Sequence, residues 1–103
     1  MEIYDTSLLI EGKGEVATIF NLLEYPPAIN FLKEIIFPIN EDYLKALEII
    51  IKLRRIGKPL PLVDVLIAAI ALRCNYKIIT KDEHFLTIKE VEPLLKIEVV
   101  EQI

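Results

Sequence analysis

One cysteine and one histidine among 103 residues leave the chain no internal disulfide and no Cys/His set for zinc. Cys74 follows an apolar run and reads as a small buried residue. Long hydrophobic runs are also missing. Val65 to Leu72 is the longest core-like stretch, Arg73 closes it, and spanning a bilayer takes about 18 apolar residues. Met1-Glu2 lacks the basic start of a secretory signal, so a cytoplasmic protein with no membrane association is expected. Basic charge is in deficit as well. A net charge of −4 excludes bulk electrostatic coating of nucleic acid, though not local contact with it. Linkers, internal repeats and low-complexity segments are absent.

What the chain has in plenty is apolar residues, 53% of the total, in a length that suits one domain over residues 1–103. Strand and helix patterns alternate, which predicts an α/β fold with a central parallel sheet covered by helices. Ile3-Tyr4, Val16 to Phe20, Ile35 to Ile39, Lys77 to Thr80 and Ile97 to Val100 read as strands. Asn21 reads as the N-cap of the element after the second strand, with Glu24 in its first turn. A helix is expected from an Asn40 cap to a stop at Gly57. Leu44, Leu47 and Ile51 recur on one of its faces, with Glu41/Lys45 and Glu48/Lys52 pairs on the other. A further helix opens near Pro61, carries Asp64 in its first turn and is apolar on nearly every face.

Four acids stand out by position. Asp5 and Asp82 follow strands, and Glu24 and Asp64 sit at helix starts that follow strands, so all four gather at one sheet edge. In open α/β sheets ligands bind outside the carboxyl ends of the strands. Each acid alone has an ordinary explanation as a helix-start or turn residue. Together, carboxylates brought within a few ångströms raise one another's pKa, a cost that a divalent cation removes. An oxygen-only ligand set suits Mg²⁺ or Mn²⁺. Lys52, Arg54, Arg55 and Lys58 form the densest basic stretch and read as a solvated helix end suited to the macrodipole, with phosphate contact as the sharper alternative. His84 beside Asp82 reads as a turn residue.

The chain resembles the PIN-domain ribonucleases, in particular the VapC-type toxins of toxin–antitoxin pairs. The resemblance rests on Tyr4 to Ile10, Thr18 to Glu24, Asp64 to Leu72 and Ile79 to Phe85, in that order along most of the chain. It implies a three-layer α/β/α sandwich and an endoribonuclease that cuts RNA with Mg²⁺ or Mn²⁺. By that resemblance Asp5, Glu24, Asp64 and Asp82 would form the catalytic, metal-binding quartet, and Thr6 or Ser7 and Thr80 would support it through hydroxyl hydrogen bonds. It further implies a homodimer and a cognate antitoxin whose tail can block the acidic groove. The chain departs from the pattern in two places. Only seven residues separate Ile10 from Thr18, where the family usually carries a helix or more, and Asn21 stands where many relatives have Thr or Ser. The alternative is a degenerate PIN-like domain acting as a non-catalytic assembly or Mg-binding module. A phosphoacceptor receiver fits poorly, because Asp5 has no acidic neighbour after the first strand and Lys96 precedes its own.

Overall fold

Strands of three or four residues set the scale of the molecule: β1 (Glu2–Tyr4), β2 (Val16–Thr18), β3 (Glu34–Ile36), β4 (Lys77–Thr80) and β5 (Lys96–Val99). Between them lie α1 (Thr6–Leu9), α2 (Ile19–Glu24), a 3-10 turn (Pro26–Asn30), α3 (Asn40–Arg55), α4 (Leu62–Cys74) and α5 (His84–Val91). The computed structural model describes residues 1–101.

All the pairing is parallel. One ladder runs β1-β4-β5 and a second joins β2 to β3, with β1 packed beside β2. The expected central sheet is thus two ladders meeting along a seam. Gly14, at φ +120°, fills the seam against Tyr4; a Cβ there would stand 2.7 Å from Cβ and Cγ of the Tyr4 side chain.

Alternation along the strands sends side chains to two separate cores. Ile3, Val16 and Ile36 join α3, α4 and α5 residues such as Ile49, Ile67 and Phe85. Their neighbours Tyr4, Ala17 and Ile35 instead join Leu9, Leu22 and Ala28. A period of two places successive side chains on opposite faces, so the architecture is the expected three layers. Right-handed crossovers produce the same result: β1 to β2 steps one way along the sheet and β3 to β4 the other, leaving their helices on opposite faces.

Helix ends differ in detail from the sequence expectations. Val16 to Phe20 is β-branched and apolar, yet the strand stops at Thr18, whose hydroxyl accepts from Asn21 N at 3.3 Å while Asn21 Oδ1 accepts from Thr18 N at 3.1 Å. This reciprocal capping box starts α2 at Ile19, so Thr18 is the cap, Asn21 is the third helical residue and Glu24 is the last. Asn40 is likewise the first helical residue rather than the cap, because Asp42 reaches back to Ile39 N at 2.9 Å. Arg73 of α4 holds the buried Asp42 carboxylate at 2.9 and 3.0 Å and fixes the β3–α3 corner against α4. The stop at Gly57 is as expected. With φ at +71°, Gly57 N donates to Arg54 O and Lys58 N to Leu53 O, the two bonds of a Schellman ending. Ile35 to Ile39 shortens to β3 because Pro38 has no N–H to offer a ladder. The last strand begins one residue early, at Lys96.

The orientation of α3 is what periodicity left open. It buries Ala46, Ile49 and Leu53, whereas Leu44, Leu47 and Ile51, the apolar face singled out in the sequence, are exposed together with Tyr43. Lys45 and Lys52 turn sideways to the nearly buried Glu92, at 3.0 and 3.1 Å, and Lys45 pairs with Glu48 rather than with Glu41. α4 is as apolar as expected, buried from Val65 to Ala71, but Cys74 at its end is only half-buried against the core. Among the described residues no helix is long and apolar enough to cross a membrane.

Candidate functional site

The ends of β1 and β4 build the site. Asp5 extends β1 by donating its N–H to Ile79 O at 2.9 Å, then turns the chain so that its own carbonyl receives Leu8 N and Leu9 N of α1. The residue is 7% exposed. Burying a charge at that depth requires donors, and three supply them: Thr80 Oγ1 at 2.8 Å, Ser7 Oγ at 3.3 Å and Asn21 Nδ2 at 3.3 Å.

The same hydroxyls hold the turn after β4. Asp82 N donates to Thr80 Oγ1 at 2.9 Å, and Lys81 N donates to Ser7 Oγ at 3.0 Å. Lys81 Nζ is paired with Glu11, which ties this turn to the segment after α1. Asp82 Oδ1 accepts from His84 N at 2.9 Å, a side-chain turn that leads into α5.

Asp64 comes from the opposite side of the sheet edge. It is the third residue of α4 and half-buried, carried by the helix with the most buried residues. Burial pushes its carboxyl above the usual aspartate range. Its hydrogen bond with His84 works against that rise, and the charges of Asp5 and Asp82 add to it. The Asp64, Asp82 and His84 ligand atoms lie within 4.8 Å of one another. Neighbouring ligands of one octahedral Mg²⁺, at about 2.1 Å, stand roughly 3 Å apart, so a small divalent cation bound here would draw these groups together.

Only Asp64 and Asp82 of the expected four belong to the trio. Asp5 stands outside it, buried among its three donors, and Glu24 lies exposed at the end of α2, where its Oε1 accepts from Thr6 Oγ1 at 2.8 Å. Thr6 Oγ1 in turn accepts from Asn21 Nδ2 at 3.2 Å, so one relay runs from Glu24 through Thr6 and Asn21 to Asp5. The acids and all three supporting hydroxyls therefore lie along one edge, with Asp5 joined to the turn after β4 through Thr80 and Ser7 and with Glu24 at the rim.

Two residues exceed their sequence readings. Asn21, read as a cap, is fully buried and serves both the cap and the Asp5 carboxylate. His84, read as a turn residue, begins α5 with Nδ1 3.3 Å from Oδ2 of both Asp64 and Asp82. The signals for them were a polar residue inside an apolar helix and the chain's lone histidine two positions after a candidate ligand.

The basic stretch fits the solvated-end reading in part: Lys52 pairs with Glu92 and Glu48, and Lys58 with Glu90. Arg54 and Arg55 are exposed in the last turn of α3.

The sequence matches no protein-family model and no curated protein. Solved structures share the fold. VapBC-1 from nontypeable Haemophilus influenzae is similar with a TM-score of 0.74 and 17% identity, covering 95% of this chain and 96% of that one. VapBC2 from Rickettsia felis, solved bound to a DNA fragment from its promoter, gives 0.74 at 18% identity over 97% and 98%. The PIN-like α/β architecture expected from sequence is therefore the architecture of this chain.

Proposed function

We propose that the chain is a metal-dependent endoribonuclease, the toxin of a VapBC-type toxin–antitoxin pair. The observation that carries this reading is the convergence of Asp5, Asp64 and Asp82 at the carboxyl edge of β1 and β4, in a fold shared with VapBC structures. Asp64 and Asp82, with Asp5 behind them and Glu24 at the rim, would hold Mg²⁺ or Mn²⁺. The cation supplies Lewis-acid stabilisation of phosphoryl charge and a more acidic water at neutral pH.

The chain's own residues prepare that chemistry. Thr80, Ser7 and Asn21 lock the Asp5 carboxylate so that its charge faces the site in one orientation. α4 holds Asp64 rigidly, since its next seven residues are buried. Thr6 ties Glu24 to the same relay and keeps a long, exposed side chain near the edge. Two partners belong to the reading: an antitoxin whose tail covers the acidic edge, and a second copy seated on the exposed apolar face of α3.

Exposure of Glu24 outside the trio favours one rival, a metal-binding assembly module without turnover. Cleavage of cellular RNA by purified protein in Mg²⁺, Mn²⁺ or EDTA separates the two. Metal-dependent cutting that Asp64→Asn abolishes, in a variant that stays folded, supports the nuclease. Absence of cutting together with intact metal binding favours the module.

A further inference from the structure

His84 is the one chemistry-bearing side chain at the acidic edge that the oxygen-only ligand set leaves unused. Its Nδ1 stands 3.3 Å from Asp64 Oδ2 and 3.3 Å from Asp82 Oδ2, equidistant from two carboxylates that arrive on different elements. The position is built rather than incidental. His84 N is held by Asp82 Oδ1 at 2.9 Å, the next residue, Phe85, is fully buried, and α5 runs on from there. The backbone at His84 is thus fixed from both sides while the ring reaches the acids.

We propose that His84 supplies a nitrogen ligand to the cation held by Asp64 and Asp82, and that this nitrogen tilts the site towards Mn²⁺ over Mg²⁺. The inference rests on the metal-binding reading above and specifies which cation that site prefers. Nitrogen and oxygen ligands of one cation, each about 2.1 Å from it, stand roughly 3 Å apart when adjacent, close to the spacing His84 keeps from both acids. Mg²⁺ is hard, favours oxygen and gives up its waters reluctantly, so an imidazole adds little to its binding. Mn²⁺ stands at the weak end of the first-row series for nitrogen ligands, yet as a transition-metal ion it is less strictly bound to oxygen than Mg²⁺, so the same ring adds more affinity for Mn²⁺ than for Mg²⁺.

The chain contains a single histidine, which makes the test unambiguous in tag-free protein. Pulsed EPR of bound Mn²⁺ is expected to show imidazole ¹⁴N coupling, shifting to the ¹⁵N pattern on histidine labelling and disappearing in His84→Ala. Calorimetric titration is expected to show His84→Ala weakening Mn²⁺ by at least about tenfold, the low end for losing even an outer-shell partner of a metal, while Mg²⁺ changes by less than about twofold. Binding of Mn²⁺ that Asp64→Asn abolishes, with no nitrogen coupling and an unchanged Mn²⁺/Mg²⁺ ratio in His84→Ala, overturns this proposal and leaves the carboxylate site standing. Absence of Mn²⁺ binding in the unaltered protein overturns both.

Discussion

Thr80 Oγ1 donates to the Asp5 carboxylate at 2.8 Å, joining the ends of two adjacent parallel strands whose residues lie 75 positions apart. The same oxygen accepts from Asp82 N, so one buried hydroxyl orients two of the candidate acids. Thr80→Val keeps the shape and removes both bonds. With Asp5 short of a donor and Asp82 N short of an acceptor, stability is expected to fall by about 1–3 kcal/mol in urea unfolding. Metal affinity should fall with it, as calorimetry on the folded variant would read.

Gly14 tests the seam between the two ladders. Its φ of +120° disfavours any L side chain, and a Cβ would meet the root of the Tyr4 side chain rather than its movable end. Gly14→Ala is expected to destabilise by about 2 kcal/mol or more, from strain and overpacking together. Gly12 offers the control: it too has positive φ, but no atom lies within 4 Å of its added Cβ. Gly12→Ala should therefore cost less in the same denaturation measurement.

Periodicity and end signals explain which parts of this fold can be read from sequence. Asp64 and Asp82 lie where expected, the first because Pro61 opens a strongly apolar helix and the second because the turn after β4 is short. The start of α2 could not be read from propensity: Val16 to Phe20 favours a strand throughout, and the reciprocal bonds of Thr18 and Asn21 decide the boundary. α3 carries two apolar stripes, Ala46/Ile49/Leu53 and Leu44/Leu47/Ile51, both with helical spacing. Spacing identifies a helix but does not say which stripe meets the core. His84 was readable only as a neighbour of Asp82, because its other partner, Asp64, is brought to it by tertiary packing.

Asp64 gives the site a pH signature. Its folded-state pKa is raised, first by burial and then by Asp5 and Asp82, with the His84 hydrogen bond opposing. A carboxyl that binds its proton more tightly when folded stabilises the fold below its unfolded pKa, and that contribution is lost as pH rises through the raised folded value. At neutral pH without metal, ionised Asp64 is therefore a net cost. Asp64→Asn is expected to raise the melting temperature in EDTA near pH 7, the gain shrinking to nothing as pH falls below the unfolded aspartate range. Divalent cation should reverse the ranking: saturating a site to 100 times its Kd adds about 2.7 kcal/mol to the unaltered protein and nothing to a variant that cannot bind. A thermal melt series over pH, with and without Mn²⁺, reads both effects.

The outward face of α3 makes the assembly prediction. Leu44 is 68% exposed, Leu47 55%, Tyr43 51% and Ile51 42%, and Phe37 and Ile39 continue the patch before the helix starts. Covering these six side chains removes on the order of 700 Å² per copy, close to the roughly 800 Å² per partner of a standard stable interface. Charge complements the same geometry. An antiparallel two-fold pairing of α3 centred near Leu47 sets Leu44 against Ile51 and brings Glu41 of one copy beside Arg54 of the other, a self-complementary arrangement. Leu47→Glu places two buried carboxylates at the axis and is expected to give a monomer by sedimentation, with its circular dichroism unchanged because Leu47 is more exposed than buried in the single chain. Glu41→Arg alone should weaken the dimer, and combining it with Arg54→Glu should restore it. A dimer that survives Leu47→Glu would assign the pairing to another face.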